Sequence, residues 1–316
     1  MIGWTSCTPS VLPRASLSTV GLAVLVSALV APTPALGQQA PAPVAPNARP
    51  SLIASRVKEG PTLDGDVLGD SGWKGSTPVS VFWQEQPDQG QPASERTEVR
   101  VVFTNDTLYV GVVCYDDDPS TITVSDSRRD ADLDETDSFR MLFDTYRDSQ
   151  NGFVFGTNPA GIEYDAQVTN EGFPPNQNWN AVFSVEVGRF DGGWSFEFRI
   201  PFWSLRYQPG SDQIWGFNMR RVVRWKNEES HIVPIPFSLG QRRGLMQISL
   251  HAPLVGIEAP PRGKNIEFRP FGISSVTTDR LSRPALSNAL AGNGGLDVKY
   301  GLTQNLTADL TWRTDF

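Results

Sequence analysis

The feature that most limits what this chain can fold into is a two-residue rhythm of apolar and polar side chains that recurs between residues 95 and 250. Val99, Val101 and Phe103 alternate with Glu98 and Arg100, Asn105-Asp106 supplies a turn, and Leu108, Val110, Val112 and Cys114 alternate again. Successive side chains of an extended strand point to opposite faces, so this rhythm writes a hairpin with one dry and one wet face. It returns at 137–144, 152–157, Phe183 to Val187, 213–223 and 245–250, and at Trp194, Phe196, Phe198 and Ile200 behind the turn Asp191-Gly192-Gly193. No stretch sustains a 3.6-residue period. Many short strands joined by Gly, Asn and Asp turns predict an all-β chain, an antiparallel β-sandwich or jelly roll.

Both ends depart from this texture. Residues 20–31 form a short apolar run behind Arg14, followed by the small-x-small site Ala35-Leu36-Gly37. That reads as a secretory signal peptide over 1–37, too short for a membrane span. Residues 38–50 are an Ala/Pro linker expected to run extended. Cleavage would remove Cys7 and leave Cys114, which shares the phase of Leu108, Val110 and Val112 and so packs inward as a small hydrophobe. The sandwich is expected over 51–256, with a linker and further strands over 257–316. The stretch from residue 296 onward alternates Leu296, Val298, Tyr300, Leu302, Leu306, Ala308, Leu310 and Trp312 against Asp297, Lys299, Thr307, Asp309 and Thr311, around a turn at Thr303-Gln304-Asn305. Apolar-out, polar-in hairpins with interfacial aromatics are how outer-membrane barrels are written. One hairpin cannot close a barrel, so the expectation is the front of a longer protein, and the other reading is an ordinary edge hairpin.

Charge narrows the partners. The 316 residues carry a net charge of −8, and nucleic acid is disfavoured because phosphate binding needs clustered Lys and Arg. Between 116 and 148 eleven acids face only Arg128, Arg129, Arg140 and Arg147. Such a set repels itself unless a cation or the arginines compensate. Calcium suits oxygen-rich, irregular loops, with Asp116, Asp130, Asp132, Asp134 and Asp137 as its candidate ligands. Asp130-x-Asp132-x-Asp134 imitates an EF-hand, but Glu135 stands where Gly is required and Met141 where Glu is. A solvated acidic loop neutralised by its own arginines is the competing account.

Nucleophilic and zinc chemistry drop out, the latter because the sequence shows no Cys/His cluster. "GDSG" at 69–72 resembles a serine-protease segment, but His231 and His251 both follow it, where that arrangement needs a preceding His. There is no G-x-S-x-G elbow, no H-E-x-x-H and no phosphate-cradling Gly loop. A glycosidase needs paired carboxylates. Glu163, Asp165 and Glu197 are candidates, but nothing pairs them, and Glu197 alternates as an outward position. Nine Trp in a secreted β-protein raise sugar stacking, with amides and acids taking the hydroxyls. Trp83, Trp179, Trp203 and Trp225 lie among polar neighbours and read as exposed; Trp73, Trp194 and Trp215 read as core.

Five blocks in order, "PTLDGDVLGDSGWKGSTPV" (61–79), "TEVRVVFTNDTLYVGVVCYDDDP" (97–119), "DETDSFRMLFDTY" (134–146), "FVFGTNPAGIEYDA" (153–166) and "GGWSFEFRIPFWSLRY" (192–207), resemble family 9 carbohydrate-binding modules. The resemblance implies a jelly-roll sandwich with structural calcium that accompanies glycoside hydrolases. With "WGFNMRRVVRWKNE" (215–228) and the terminal hairpin, the chain is similar to a bacterial group that joins this module to its own C-terminal outer-membrane barrel. Sugar-binding members clamp a terminal sugar between two Trp. Here Asp134 stands in the first place and "HIVPIPFSL" (231–239) surrounds the second, so a ligand would need Trp179, Arg140 or Trp225, with Trp83 and Asn178 as further candidates.

The sequence therefore predicts a secreted, non-catalytic module of the periplasm, outer membrane or cell surface that binds a polysaccharide or oligosaccharide in carbohydrate catabolism. The rival is a structural or gating domain of an outer-membrane barrel with no sugar ligand. A glycoside hydrolase is the third reading.

Overall fold

The computed structural model describes residues 50–239, 243–261, 266–281, 283–284, 286–301 and 307–313. The expected signal peptide, the linker up to residue 49 and the turn at 303–305 lie outside them. β3 (Thr97–Phe103) and β4 (Thr107–Tyr115) form the expected hairpin, with Val101 opposite Val110. β4 pairs with β9 (Gly193–Pro201), and β9 with β8 (Ser184–Phe190). In the facing sheet β5 (Ser138–Asp144) pairs with β6 (Gly152–Thr157), which pairs with β7 (Tyr164–Val168). β10 (Gly210–Val223) lies between β5 and β12 (Ala252–Ala259). β11 (Glu228–His231) extends from β10 and carries β2 (Trp83–Gln86). These strands make a β-sandwich, as the alternation predicts.

β1 (Leu52–Arg56) joins the two sheets. It sets Leu52 opposite Leu254 of β12 and Ala54 opposite Val101 of β3, parallel to both. This departs from a purely antiparallel fold. Parallel neighbours need a long connection, and some two hundred residues separate β1 from β12. β12 also carries the sandwich to Ala259, past the boundary expected at 256.

Phe139, Met141 and Phe143 of β5, with Phe217 beside them on β10, face Phe196, Phe198 and Trp194 of β9 in the inter-sheet core. Phe139 and Phe196 bridge the sheets at 5.2 Å between ring centroids. Each such ring, fully withdrawn from water, contributes roughly 1.5–3 kcal/mol. Cys114 lies in this core, and burial pushes its thiol up to about 12. Trp73, Trp194 and Trp215 are buried as expected.

The outer faces are not simply wet. Leu142, Val154, Tyr164 and Ala166 are covered by Leu133, Leu245, Met246 and Ile248, and on the other sheet Val102, Tyr109 and Val113 are covered by Val67 and Trp73. The stretch at 245–250, expected as a strand, forms two 3₁₀ turns, Gly244–Met246 and Ile248–Leu250. Three residues per turn put Leu245 and Ile248 on one side, where both are buried.

Toward the C-terminus, β13 (Ile266–Asp279), β14 (Leu286–Gly301) and β15 (Thr307–Trp312) form a separate antiparallel sheet. The Ser-, Ala-, Asn- and Gly-rich residues from Leu286 to Gly295 belong to β14. Phe268, Val298 and Leu310 fall in one cross-strand row, as do Pro270, Leu296 and Trp312. Phe268, Leu310 and Trp312 are exposed, while Lys299 and Asp309 pair at 3.7 Å on the alternate face. Among the described residues no helix is long and apolar enough to cross a membrane.

Candidate ligand-binding site

The five candidate metal ligands are not one cluster, because arginines divide them. Asp130, in a left-handed conformation (φ 58°), sits 3.3 Å from Arg129 Nε, and Arg129 also binds Glu163 and the buried Asp165. Asp134 lies between two buried guanidiniums, 3.0 Å from Arg140 Nη1 and 2.5 Å from Arg220 Nη1. Asp132 is largely exposed, 3.8 Å from Arg140. The position that the resemblance gives to a clamp tryptophan is therefore the acid of a buried ion-pair network. Across from it, Ile232, Val233 and Ile235 of the second clamp region are buried.

Asp116 and Asp137 form the third group, and both are buried. Asp137 Oδ2 accepts from the Thr123 amide at 2.7 Å and Asp116 Oδ1 from the Asp118 amide at 3.0 Å, leaving Asp137 Oδ1 and Asp116 Oδ2 without partners. Burial pushes Asp137 up to about 6; Asp116 adds to the rise, and the Thr123 amide and Arg221 oppose it. Burial raises Asp116 as well. These are the two of the five acids with buried oxygens left for a cation.

The aromatic candidates also divide. Trp83 is buried in β2, which corrects the reading of it as exposed: β2 is covered on joining β11. Trp225 and Trp203 are exposed, and the Lys226 ammonium stands 4.8 Å from the Trp225 ring centre. Trp179 is half-buried on the core, its ring 4.8 Å from Phe153 and 6.2 Å from Phe155. Asn178 is exposed beside it. Arg140 is buried against Tyr164 and Asp134 and does not face solvent.

A small concavity opens at the end of the β5–β6 hairpin. A cavity of about 240 Å³ is lined by Thr145, Tyr146, Asp148, Asn151, Gly152, Phe153, Gln167 and Arg206. The hairpin turn is shaped by Asp144, whose carboxylate accepts from the Asp148 and Ser149 amides at 3.1 and 2.8 Å. Arg147 and Ser149 take left-handed conformations there. Burial would raise the Asp148 carboxyl, but the side-chain and backbone donors of Asn151 and the Gln150 amide hold it below the usual range. Asp148 is thus an ionised acceptor. Arg206 arrives from beyond β9, its carbonyl bound by the Thr145 hydroxyl. Phe153 joins the cavity to Trp179, and Gln167 joins it to the segment before Asn178 through its bridge to Asn176. Aromatic, amide, acidic and basic residues thus line one small opening.

Trp179 and Asn178 do not line this cavity, although Trp179 packs on its Phe153, and the sequence reading named none of Tyr146, Gln167 and Arg206. The signal available was the turn "DTYRDSQN" (144–151), rich in side chains that bond their own backbone. Nothing local joins it to Arg206.

No protein-family model matches the chain, and no curated protein matches it. Solved structures do. A candidate carbohydrate-binding protein from Bacteroides uniformis superimposes with a TM-score of 0.52 at 13% identity, over 65% of this chain and 98% of that one. A family 9 carbohydrate-binding module from Caldicellulosiruptor kristjanssonii in complex with cellotriose gives 0.46 at 15% identity, over 67% of this chain and 95% of that one. The same organism's family 9 module with glucose gives 0.45 at 16% identity, over 68% and 98%. At 13% identity the likeness to the Bacteroides uniformis structure speaks for the sandwich fold alone.

Proposed function

We propose that the sandwich binds a saccharide at the cavity closed by Tyr146, Asp148, Asn151, Gln167 and Arg206, as a non-catalytic module in carbohydrate uptake or breakdown. The observation that carries this reading is that an exposed tyrosine, an ionised acid, Asn151, Gln167 and Arg206 line one cavity of a size suited to one sugar ring. A ring face can lie on the aromatic while the polar groups take its hydroxyls. Asp148 is the single carboxylate lining the cavity, whereas glycoside hydrolysis uses two. Titration calorimetry of the full chain against neutral oligosaccharides tests the proposal. Saturable binding that Arg206→Ala and Tyr146→Ala abolish, with thermal midpoints unchanged, supports it. No binding at millimolar sugar, or binding indifferent to both changes, overturns it.

Structural calcium in this reading is held by Asp116 and Asp137, whose unpartnered oxygens suit a hard cation. The place of action is the outer membrane, on its periplasmic or outer side. The exposed apolar rows of β13 to β15, backed by a polar face, support their reading as strands of an outer-membrane barrel, since 14 and 16 residues exceed the span such strands need. That apolar face also favours a second reading, in which the sandwich serves the barrel as a structural or gating domain and takes no sugar.

A further inference from the structure

The ion-pair row on the outer face of the β5–β10 sheet continues past Arg220 to a group that no arginine neutralises. Register places Arg140 opposite Arg220 and Arg220 opposite His231. β2 lies beside β11, and there Glu85 Oε2 meets His231 Nε2 at 2.9 Å. Glu229, two residues before His231, supplies a third donor, and one ligand atom from each of the three lies within 4.8 Å of the others. Glu85 and His231 are 1% and 0% exposed.

The charges show what is left over. Arg140 and Arg220 offset Asp134 and Glu229. Among the described residues, Glu85 has only the imidazole of His231 as an ion-pair partner. Glu85 Oε1 and His231 Nδ1 are both buried without a hydrogen-bond partner. A buried carboxylate satisfied on one oxygen only is costly unless a cation completes it. The chain is pressed against this carboxylate: a Cβ added at Gly244 would lie 2.7 Å from Glu85 Oε2 and 2.6 Å from Ile235 Cγ2. The group is enclosed as well as charged.

We propose that Glu85, His231 and Glu229 form a binding site for a divalent cation of the zinc type. One imidazole with two carboxylates suits a borderline ion that takes nitrogen and oxygen together, whereas calcium and magnesium prefer oxygen alone. Arg220 grips Glu229 with Nη2 at 2.6 Å from Oε1 and Nε at 3.0 Å from Oε2. That orients the carboxylate and leaves each oxygen a second lone pair for the ion. The site shares no residue with the Asp116–Asp137 pair or with the sugar cavity.

The test is zinc itself. The purified full chain, stripped with chelator, is titrated with zinc chloride by calorimetry and examined by X-ray absorption at the zinc edge. The expected result is one tightly held zinc per chain with one imidazole among its ligands, a raised thermal midpoint, and binding weakened roughly 100-fold or more in His231→Asn and Glu85→Gln. Asp116→Asn is expected to bind zinc as the parent does. The absence of stoichiometric zinc overturns the proposal. Zinc bound without an imidazole overturns it equally, as does binding unchanged in both folded variants. Should those variants fail to fold, the absorption spectrum of the parent chain decides, because the chain has only two histidines and the other, His251, is buried with Nε2 on the Leu245 carbonyl at 2.9 Å.

Discussion

The indole nitrogen of Trp73 donates to Glu197 Oε1 at 2.7 Å, deep beneath the loop that covers β9. Glu197 Oε2 accepts from the Asp64 and Gly65 amides, both at 2.9 Å. The side chain that alternation assigned to water is fully buried and holds down the loop that buries it. Burial raises its pKa against these three hydrogen bonds. Glu197→Ala strands three donors and should cost about 1–3 kcal/mol of unfolding free energy in urea titrations. Glu197→Gln keeps one acceptor oxygen and should cost less; equal losses would contradict the hydrogen-bond account.

Asp134 stands between Arg140 and Arg220, both buried. Asp134→Ala leaves two like charges facing each other without their shared acid. The expected loss is about 3–5 kcal/mol, the range for breaking a buried pair from one side. Denaturant unfolding at neutral pH measures it. Restoring an aromatic there, as in the clamp of sugar-binding family 9 modules, should destabilise this chain as well.

Asp137 gives the fold a pH dependence of calculable sign. Its carboxyl titrates near 3.8 when unfolded and at about 6 when folded. The folded state therefore binds the proton more tightly, so this contribution is complete below about pH 4 and is lost as pH rises through about 6. The loss amounts to roughly 3 kcal/mol at 1.36 kcal/mol per pKa unit. In chelator, the stability of Asp137→Asn relative to the parent should rise by about that amount between pH 4 and pH 7. Calcium should restore the parent at pH 7 and leave the variant unchanged. A pH-independent difference between the two would refute the assignment.

What the sequence determined by itself was the alternating strands of the sandwich and the side of each that faces the other sheet. Phe139, Met141 and Phe143, like Val99 to Phe103 and Trp194 to Ile200, repeat every second residue, and that period is a local property of extended backbone. Elements without it were misread or missed: β1 and β2 are short, and 245–250 mimics a strand while forming 3₁₀ turns. The fate of the second face was decided only by tertiary structure. Glu197, Arg140, Arg220 and Glu85 look like wet positions, yet other segments of the chain cover them and bond their polar atoms. The cavity is non-local in the same way, since Tyr146 and Arg206 meet only after β9 has crossed the sandwich. Alternation encodes which way a side chain points, and what it meets there depends on loops whose paths carry no period.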